Sequence, residues 1–420
     1  MPADAKLRLW TEFEEAITSG LFSGASLLIS GGVEPDLEDT WGTVESGGVP
    51  VSPSTCFDLA SLTKPLVTAP LCMVAVSRSL ISLEDTLPRF FPGLVPKDKE
   101  GISIRNLLSH SSGFPAYERF YQGLIGVPAQ DRQSALVSMI LKTPLDAAPG
   151  KKAQYSDIGF ILLGLILERR MGAGLDRLAR DFLFDPLGID DLHYCRLDAR
   201  TSDPGQMRDD NGWTADDQDA PGRRRGDAQS VAPASQSPRV LASVAYAATE
   251  LCPWRKRLLR GEVDDKNAWI LNGVAGHAGL FGTASGVFKL ISSLWNIYEG
   301  NVSNRFLPRE IVRLFWTRTE DAEGSSEWCM GYDTPSRNGY TSTGRYFSDD
   351  TIGHLGFTGV SFWLDLDKRV MVILLTNRVY PTRQNNAIRL LRPVLHDIIM
   401  ENLVMEDGGK ITENGGKKAE

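Results

Sequence analysis

Two periods of hydrophobic recurrence divide this 420-residue chain. Apolar residues spaced by three and four, among them Trp10, Phe13 and Ile17, predict an amphipathic helix over 7–17. Past Gly20, residues 24–30 (Gly-Ala-Ser-Leu-Leu-Ile-Ser) read as a buried strand closed by a turn at Gly31-Gly32. Near the other end, 360–366 and 370–376 are apolar, partly alternating runs. Asp365, Asp367 and Lys368 around the break predict a hairpin there. Residues 386–403 predict a closing helix able to pack on the sheet.

The middle carries the helical period instead, over 68–80, 134–141, 158–171, 175–184 and 287–298. Connectors such as Phe90-Phe91-Pro92-Gly93 separate these runs. Strand signals at both ends around a helical middle predict an α/β body of the α+β type. Residues 1–60 and 270–405 would form one discontinuous α/β domain, and 61–269 a mainly helical insertion. Residues 201–236 turn polar and read as a long surface loop placed to border a cleft. The Gly/Lys/Glu tail, 406–420, is expected to be disordered. No internal repeat is present.

Composition narrows the function classes. With 42% hydrophobic and 23% charged residues, the chain is neither disordered nor fibrous. Its 45 Lys+Arg against 53 Asp+Glu leave a net charge of −8, which argues against a nucleic-acid partner. The Arg223-Arg224-Arg225 cluster is closely flanked by acids and reads as a solvated patch. Five dispersed cysteines (Cys56, Cys72, Cys195, Cys252 and Cys329) contain no Cys-x-x-Cys pair. They read as reduced thiols of a cytoplasmic protein and give no zinc site. The N-terminus lacks a secretion core. The longest apolar run, 158–167, is 10 residues, whereas a membrane-spanning helix needs about 20. No membrane association, metal or cofactor is expected.

Candidate chemistry begins at Phe57-Asp58-Leu59-Ala60-Ser61-Leu62-Thr63-Lys64. Its Ser-x-x-Lys precedes an apolar helical pattern, and residues three apart share a helix face. Serine needs an adjacent base to act as a nucleophile, and a lysine one turn on can be that base. Alone, the pattern recurs by chance in chains of this size and more often marks an N-cap serine followed by a surface lysine. Two further elements follow in order: Tyr155-Ser156-Asp157 after Pro149-Gly150, then Gly353-His354-Leu355-Gly356-Phe357-Thr358-Gly359 before the hairpin. Supporting stretches are Leu107 to Pro115 and Gly276-His277-Ala278-Gly279-Leu280-Phe281.

With these motifs in this order, the chain resembles the serine β-lactamase and penicillin-binding-protein superfamily. It looks closest to the class C β-lactamase, esterase and D-aminopeptidase branch, which carries Ser-x-x-Lys, Tyr-x-Asn and Lys-Thr-Gly or His-x-Gly. The resemblance implies the β-lactamase/DD-peptidase fold, an antiparallel sheet flanked by helices. It implies Ser61 as nucleophile, with Lys64 and Tyr155 sharing the proton work and Tyr155 as the family's usual base. Phenol ordinarily titrates near 10, so an ammonium on Lys64 would be needed to stabilise a phenolate. The resemblance also implies an oxyanion hole from the backbone N–H groups of Ser61 and Phe357, and substrate contacts at Asp157, His354 and Gly356. Gly356 suits a strand that passes close to a substrate.

Two departures from the family pattern shape the substrate expectation. Asp157 replaces the asparagine, and an ionised aspartate only accepts hydrogen bonds. Near Lys64 it is expected to raise the lysine's pKa and move the base role toward Tyr155. It also fits an N-cap for the helix starting at Ile158. His354 replaces lysine and is expected to be mostly neutral at pH 7, a poor anchor for a substrate carboxylate. Pro65 disfavours helical geometry at Lys64 unless the motif lies in a helix's first turn. His110 and His277 read as structural, and His193 and His396 have no supporting context. The absence of Gly-x-Ser-x-Gly, His-Glu-x-x-His and Walker patterns disfavours other hydrolase types.

These readings imply a hydrolase of small esters or amides that works through a covalent seryl intermediate, carboxylesterase-like. A β-lactamase or D-amino-acid peptidase is the second enzyme reading. A non-catalytic binding protein on the same fold is the rival.

Overall fold

Strand β1 (Gly24–Ser30) is buried along its whole length. It lies between β2 (Leu37–Gly42) and β10 (Val370–Thr376), and β9 (Ser361–Asp365) and β8 (Thr351–Leu355) complete the sheet. The order is β2-β1-β10-β9-β8, with every neighbour antiparallel. Chain ends therefore meet in one sheet. The computed structural model describes all residues except 33, 198–243, 305, 321–326, 338–339 and 409–420.

The two-residue period of the strands splits the core in two. Ala25, Leu27 and Ile29 of β1 and Val370, Val372 and Leu374 of β10 face the helices Ala3–Thr18 and Ile388–Gly408. Leu28, Met371, Ile373 and Leu375 face the other way, into the larger core shared with the remaining helices. The opening helix buries Ala5, Leu9, Phe13 and Ala16, and Phe13 stacks on Trp41 at 3.9 Å. The predicted strand 24–30 and the 360–376 hairpin are both present. The last helix continues to Gly408, past the 403 expected and into the segment expected to be disordered. Residues 409–420, the loop 201–236 and its arginine cluster lie outside the described residues.

Most of the helices lie between residues 58 and 351 in sequence. In Asp157–Met171, ten consecutive residues from Ile158 to Leu167 are buried. This is the apolar run seen in the sequence, and its glycines allow close packing. A Cβ on Gly164 would stand 3.0 Å from the backbone N of Gly276. The run Ala60–Ser77 is the one helix among the described residues long and apolar enough to cross a membrane, and 83% of it is buried inside the protein. A second sheet joins β3 (Phe57–Asp58), β7 (Leu280–Gly282) and β4 (Leu192–Tyr194). It carries the chain into the Ser61 turn. Strands of two or three residues are too short to leave a periodic signal in the sequence.

Candidate active site

Strand β3 pairs with β7 through Phe57↔Gly282 and Asp58↔Phe281, and the chain then turns sharply. Ala60 adopts φ of +46°, a left-handed conformation unfavourable for a residue with a Cβ. Its N–H donates to Asp58 Oδ1 at 2.9 Å, which holds the turn. Ser61 follows in a 3-10 turn, Ala60–Leu62. A five-residue π turn, Lys64–Thr68, then leads into the α-helix Ala69–Ser77. That wide turn accommodates Pro65, whose carbonyl accepts the Tyr332 hydroxyl at 3.1 Å. Ser-x-x-Lys thus sits in the first turn of a helical run, as Pro65 requires.

Lys64 is fully buried, and its ammonium position is enclosed by four oxygens. Nζ lies 2.6 Å from Tyr155 Oη, 2.7 Å from Asp157 Oδ1, 3.0 Å from Ser61 Oγ and 3.2 Å from the His277 carbonyl. An ammonium has three hydrogens. Four such contacts are more than it can donate singly, so at least one is shared. Tyr155 Oη is also 2.8 Å from Ser61 Oγ and 3.0 Å from Asp157 Oδ1, so the phenol can donate to either.

Tyr155 is held from behind. Gln154 N–H donates to the His110 carbonyl at 2.8 Å, and Ser156 N–H donates to His110 Nδ1 at 3.1 Å. His110 is buried, with φ of +56°, and its ring lies 4.9 Å from that of Tyr155. This is the structural role expected of it. The helix cap differs from expectation: Ser156 is the N-cap, and Asp157 is the first helical residue with its side chain on Lys64. A carboxylate in that first turn also complements the helix dipole.

The β8–β9 connection forms the facing wall. Gly356 N–H donates to the Val360 carbonyl at 2.8 Å, and Thr358 Oγ1 donates to the Asp58 carbonyl at 2.7 Å, tying this turn to β3. A Cβ on Gly356 would stand 2.3 Å from Val360 Cγ2 and 3.0 Å from the Leu59 carbonyl oxygen. Glycine is needed there to let the turn close on Val360 and lie against the Ser61 turn. Among the described residues, Phe357 N–H has no hydrogen-bond partner. His354 is buried; Nδ1 contacts the Leu355 carbonyl at 2.7 Å, and Nε2 has no partner. Burial, with Lys64 nearby, pushes His354 down to about 3, so it is neutral at pH 7, in line with the sequence reading.

Burial dominates the electrostatics of the cluster. Burial drives the Lys64 pKa below its usual value, and the upward pull of Asp157 only partly offsets this. Burial and Asp157 together push Tyr155 well above 10. Both directions run against the expected raised lysine and phenolate-forming tyrosine. Asp157 acts with the anticipated sign on Lys64, but desolvation outweighs it.

Sequence reasoning missed Asp265 and the backbone role of His277. Asp265 caps the helix Lys266–Ile270 and accepts His277 Nε2 at 2.8 Å, while the His277 carbonyl grips Lys64. Only the Gly-rich setting of His277 marked the segment. Ser61, Tyr155, Asp157, His354, Gly356 and Phe357 all line one cleft of about 850 Å³, and Trp328 lies on the same wall. Lys64 sits behind it. Among the described residues, no group of three His, Cys, Asp or Glu side chains is gathered to hold a metal, and all five cysteines are free and buried.

The family model described as Beta-lactamase matches residues 12–395. The chain belongs to the Beta-lactamase family. Like the rest of the family, it is a β-lactamase-fold hydrolase in architecture, a mixed helix and antiparallel-sheet structure. This family member is 27% identical over 342 residues to a putative D-alanyl-D-alanine carboxypeptidase of Escherichia coli (strain K12), covering 79% of this chain and 70% of the relative. Among solved structures it is similar to the octameric penicillin-binding protein homologue from Pyrococcus abyssi, with a TM-score of 0.63 at 18% identity, covering 96% of this chain and 77% of that one. It is equally similar to EstCE1, a hydrolase with promiscuous acyltransferase activity, at a TM-score of 0.63 and 18% identity, covering 93% and 98%.

Proposed function

We propose that this family member is a carboxylesterase-like serine hydrolase that cleaves small esters or amides through an acyl-enzyme on Ser61. The observation that carries this reading is the contact of buried Lys64 Nζ with Ser61 Oγ at 3.0 Å inside the Tyr155–Asp157 cluster. Ser61 Oγ attacks the carbonyl carbon, and its proton passes to the neutral amine of Lys64. The oxyanion is met by the backbone N–H groups of Ser61 and Phe357. As the tetrahedral intermediate collapses, the Tyr155 phenol protonates the leaving group and is reprotonated from Lys64. Water then attacks the acyl-enzyme with the same groups in reverse.

The base assignment follows from the opposed pKa directions: Lys64 moves toward neutrality, and Tyr155 moves away from phenolate. The rate requires neutral Lys64, so kcat/KM rises with pH on a limb below the ordinary lysine value. Asp157 raises the Lys64 pKa, so Asp157→Asn is expected to move that limb to lower pH by about 1–3 units. Tyr155→Phe is expected to lower the rate by roughly 10²–10⁴-fold and to retain the limb. Rate profiles from pH 5 to 10 check both; loss of the limb in Tyr155→Phe would assign the base to the phenol.

Substrate preference follows from His354. A lysine there would give a substrate carboxylate a charge-assisted hydrogen bond worth about 1.5–3 kcal/mol, roughly ten- to hundredfold in binding. The neutral imidazole provides none. His354→Lys is therefore expected to raise kcat/KM for nitrocefin and D-alanyl-D-alanine peptides by about tenfold or more relative to p-nitrophenyl acetate. A wild-type profile led by either carboxylate-bearing class would shift the reading to β-lactamase or D-alanyl peptidase, the activity in the relative's name.

A further inference from the structure

Four guanidinium groups line the part of the cleft around Phe357: Arg378, Arg383, Arg389 and Arg392. Glu250 and Asp264 are the carboxylates hydrogen-bonded to this group, which so carries an excess of 4 − 2 = 2 positive charges; the same cleft is also lined by Arg119 and Lys266 and by Asp157, Asp265 and Asp333. Both carboxylates are committed to Arg383. Glu250 accepts from it twice at 2.6 Å, and Asp264 accepts at 2.9 Å. Arg378, Arg389 and Arg392 form no ion pair with any described residue, although Asp264 acts on Arg378 from a longer distance.

Burial makes this arrangement costly. Arg392 is 4% exposed and Arg378 6%. Arg392 Nη2 donates to the Val360 carbonyl at 3.1 Å, while its Nε is buried with no partner. Arg378 Nε donates to the Phe357 carbonyl at 2.8 Å, and Nη1 to the Asn385 carbonyl and Asn386 Oδ1, both at 2.9 Å. Its Nη2 has no described protein partner. Arg389, one helical turn before Arg392, is exposed, with its guanidinium 5.3 Å from the Tyr340 ring. Buried cations are normally paired, because desolvating a lone charge is unfavourable. Three unpaired guanidiniums in one cleft wall, two of them buried, are explained by an anion that arrives with the ligand.

We propose that Arg378, Arg389 and Arg392 form a subsite for a dianionic group, a phosphate monoester or a dicarboxylate, carried by the substrate. That the substrate is also the one attacked by Ser61 rests on the nucleophile reading above. The excess of two charges matches a dianion, and planar guanidiniums suit phosphate and carboxylate oxygens in paired hydrogen bonds. Arg378 Nε donates to the Phe357 carbonyl, so the subsite abuts the turn that carries the unpartnered Phe357 N–H. Neutral His354 on β8 gives an anion nothing; the cations lie around Phe357 instead.

The test is calorimetric titration of the full chain at pH 8 and fixed ionic strength with inorganic phosphate, succinate and acetate. Phosphate or succinate is expected to bind about tenfold or more tightly than acetate. Arg389→Gln and Arg392→Gln are each expected to weaken that binding severalfold. Should Arg392→Gln fail to fold, Arg389→Gln, with its exposed side chain, carries the test. Tighter phosphate points to a phosphomonoester, and tighter succinate to a dicarboxylate. Dianions that bind no better than acetate, or binding indifferent to Arg389→Gln, overturn the proposal. Because the titration needs no turnover, a chain that binds dianions without reacting at Ser61 would keep the subsite and lose only the nucleophile reading.

Discussion

Ser61→Ala is expected to lower kcat/KM for p-nitrophenyl acetate by a factor on the order of 10⁴–10⁶. The loss is large because no other described hydroxyl shares the position. Among the described hydroxyls, Ser61 Oγ is the one on the cleft lining within hydrogen-bond reach of both Lys64 Nζ and Tyr155 Oη. Removing it leaves Lys64 with Tyr155, Asp157 and the His277 carbonyl, so the cluster remains satisfied. Stability should therefore change little, within about 1 kcal/mol. Steady-state rates together with thermal unfolding check this; a variant that keeps more than a tenth of the activity would remove Ser61 from the chemistry.

Lys64→Met is expected to fail in two ways at once. It removes the proposed base, costing roughly 10²–10⁴ in rate. It also breaks a buried ion pair, which typically costs about 3–5 kcal/mol because one charge is left without its partner. Asp157 keeps some solvent contact, with 16% of its side chain exposed, so the lower end of that range applies. Methionine fills much of the lysine stem's volume, so packing contributes little to the loss. The double variant Lys64→Met/Asp157→Asn removes the stranded carboxylate. It is expected to recover most of the stability and none of the activity, as read by denaturant unfolding and ester turnover. Recovered activity would show that the carboxylate, not the amine, had been limiting.

The parts of this fold legible in the sequence are those where burial imposes a period. β1 and β10 are buried at every position and appear as apolar runs bounded by turn residues. β8 carries Gly353 and His354 and gives no such signal, because its place in the sheet comes from pairing with β9 through Gly353↔Trp363 and His354↔Phe362. The site divides in the same way. Ser61 and Lys64 are three apart and can be placed on one face from spacing alone. Tyr155 and Asp157 lie 91 and 93 residues beyond Lys64, and motif order rather than geometry connects them.

The His277 carbonyl and the Phe357 N–H are backbone groups that every residue has, so no side-chain pattern marks them. The sign of the Lys64 shift was illegible for a different reason. Its attraction to Asp157 can be read from two residue types. The desolvation that outweighs it depends on complete enclosure, which only the packed structure provides.

The central claim is that Ser61 forms the covalent bond to the substrate's acyl group. Intact-mass and peptide mass spectrometry after incubating the folded chain with a fluorophosphonate tests it most directly. The predicted result is one adduct per chain, located on the peptide containing Ser61, absent from Ser61→Ala and absent after heat denaturation. An unlabelled folded chain, or a label on any other residue, would contradict it.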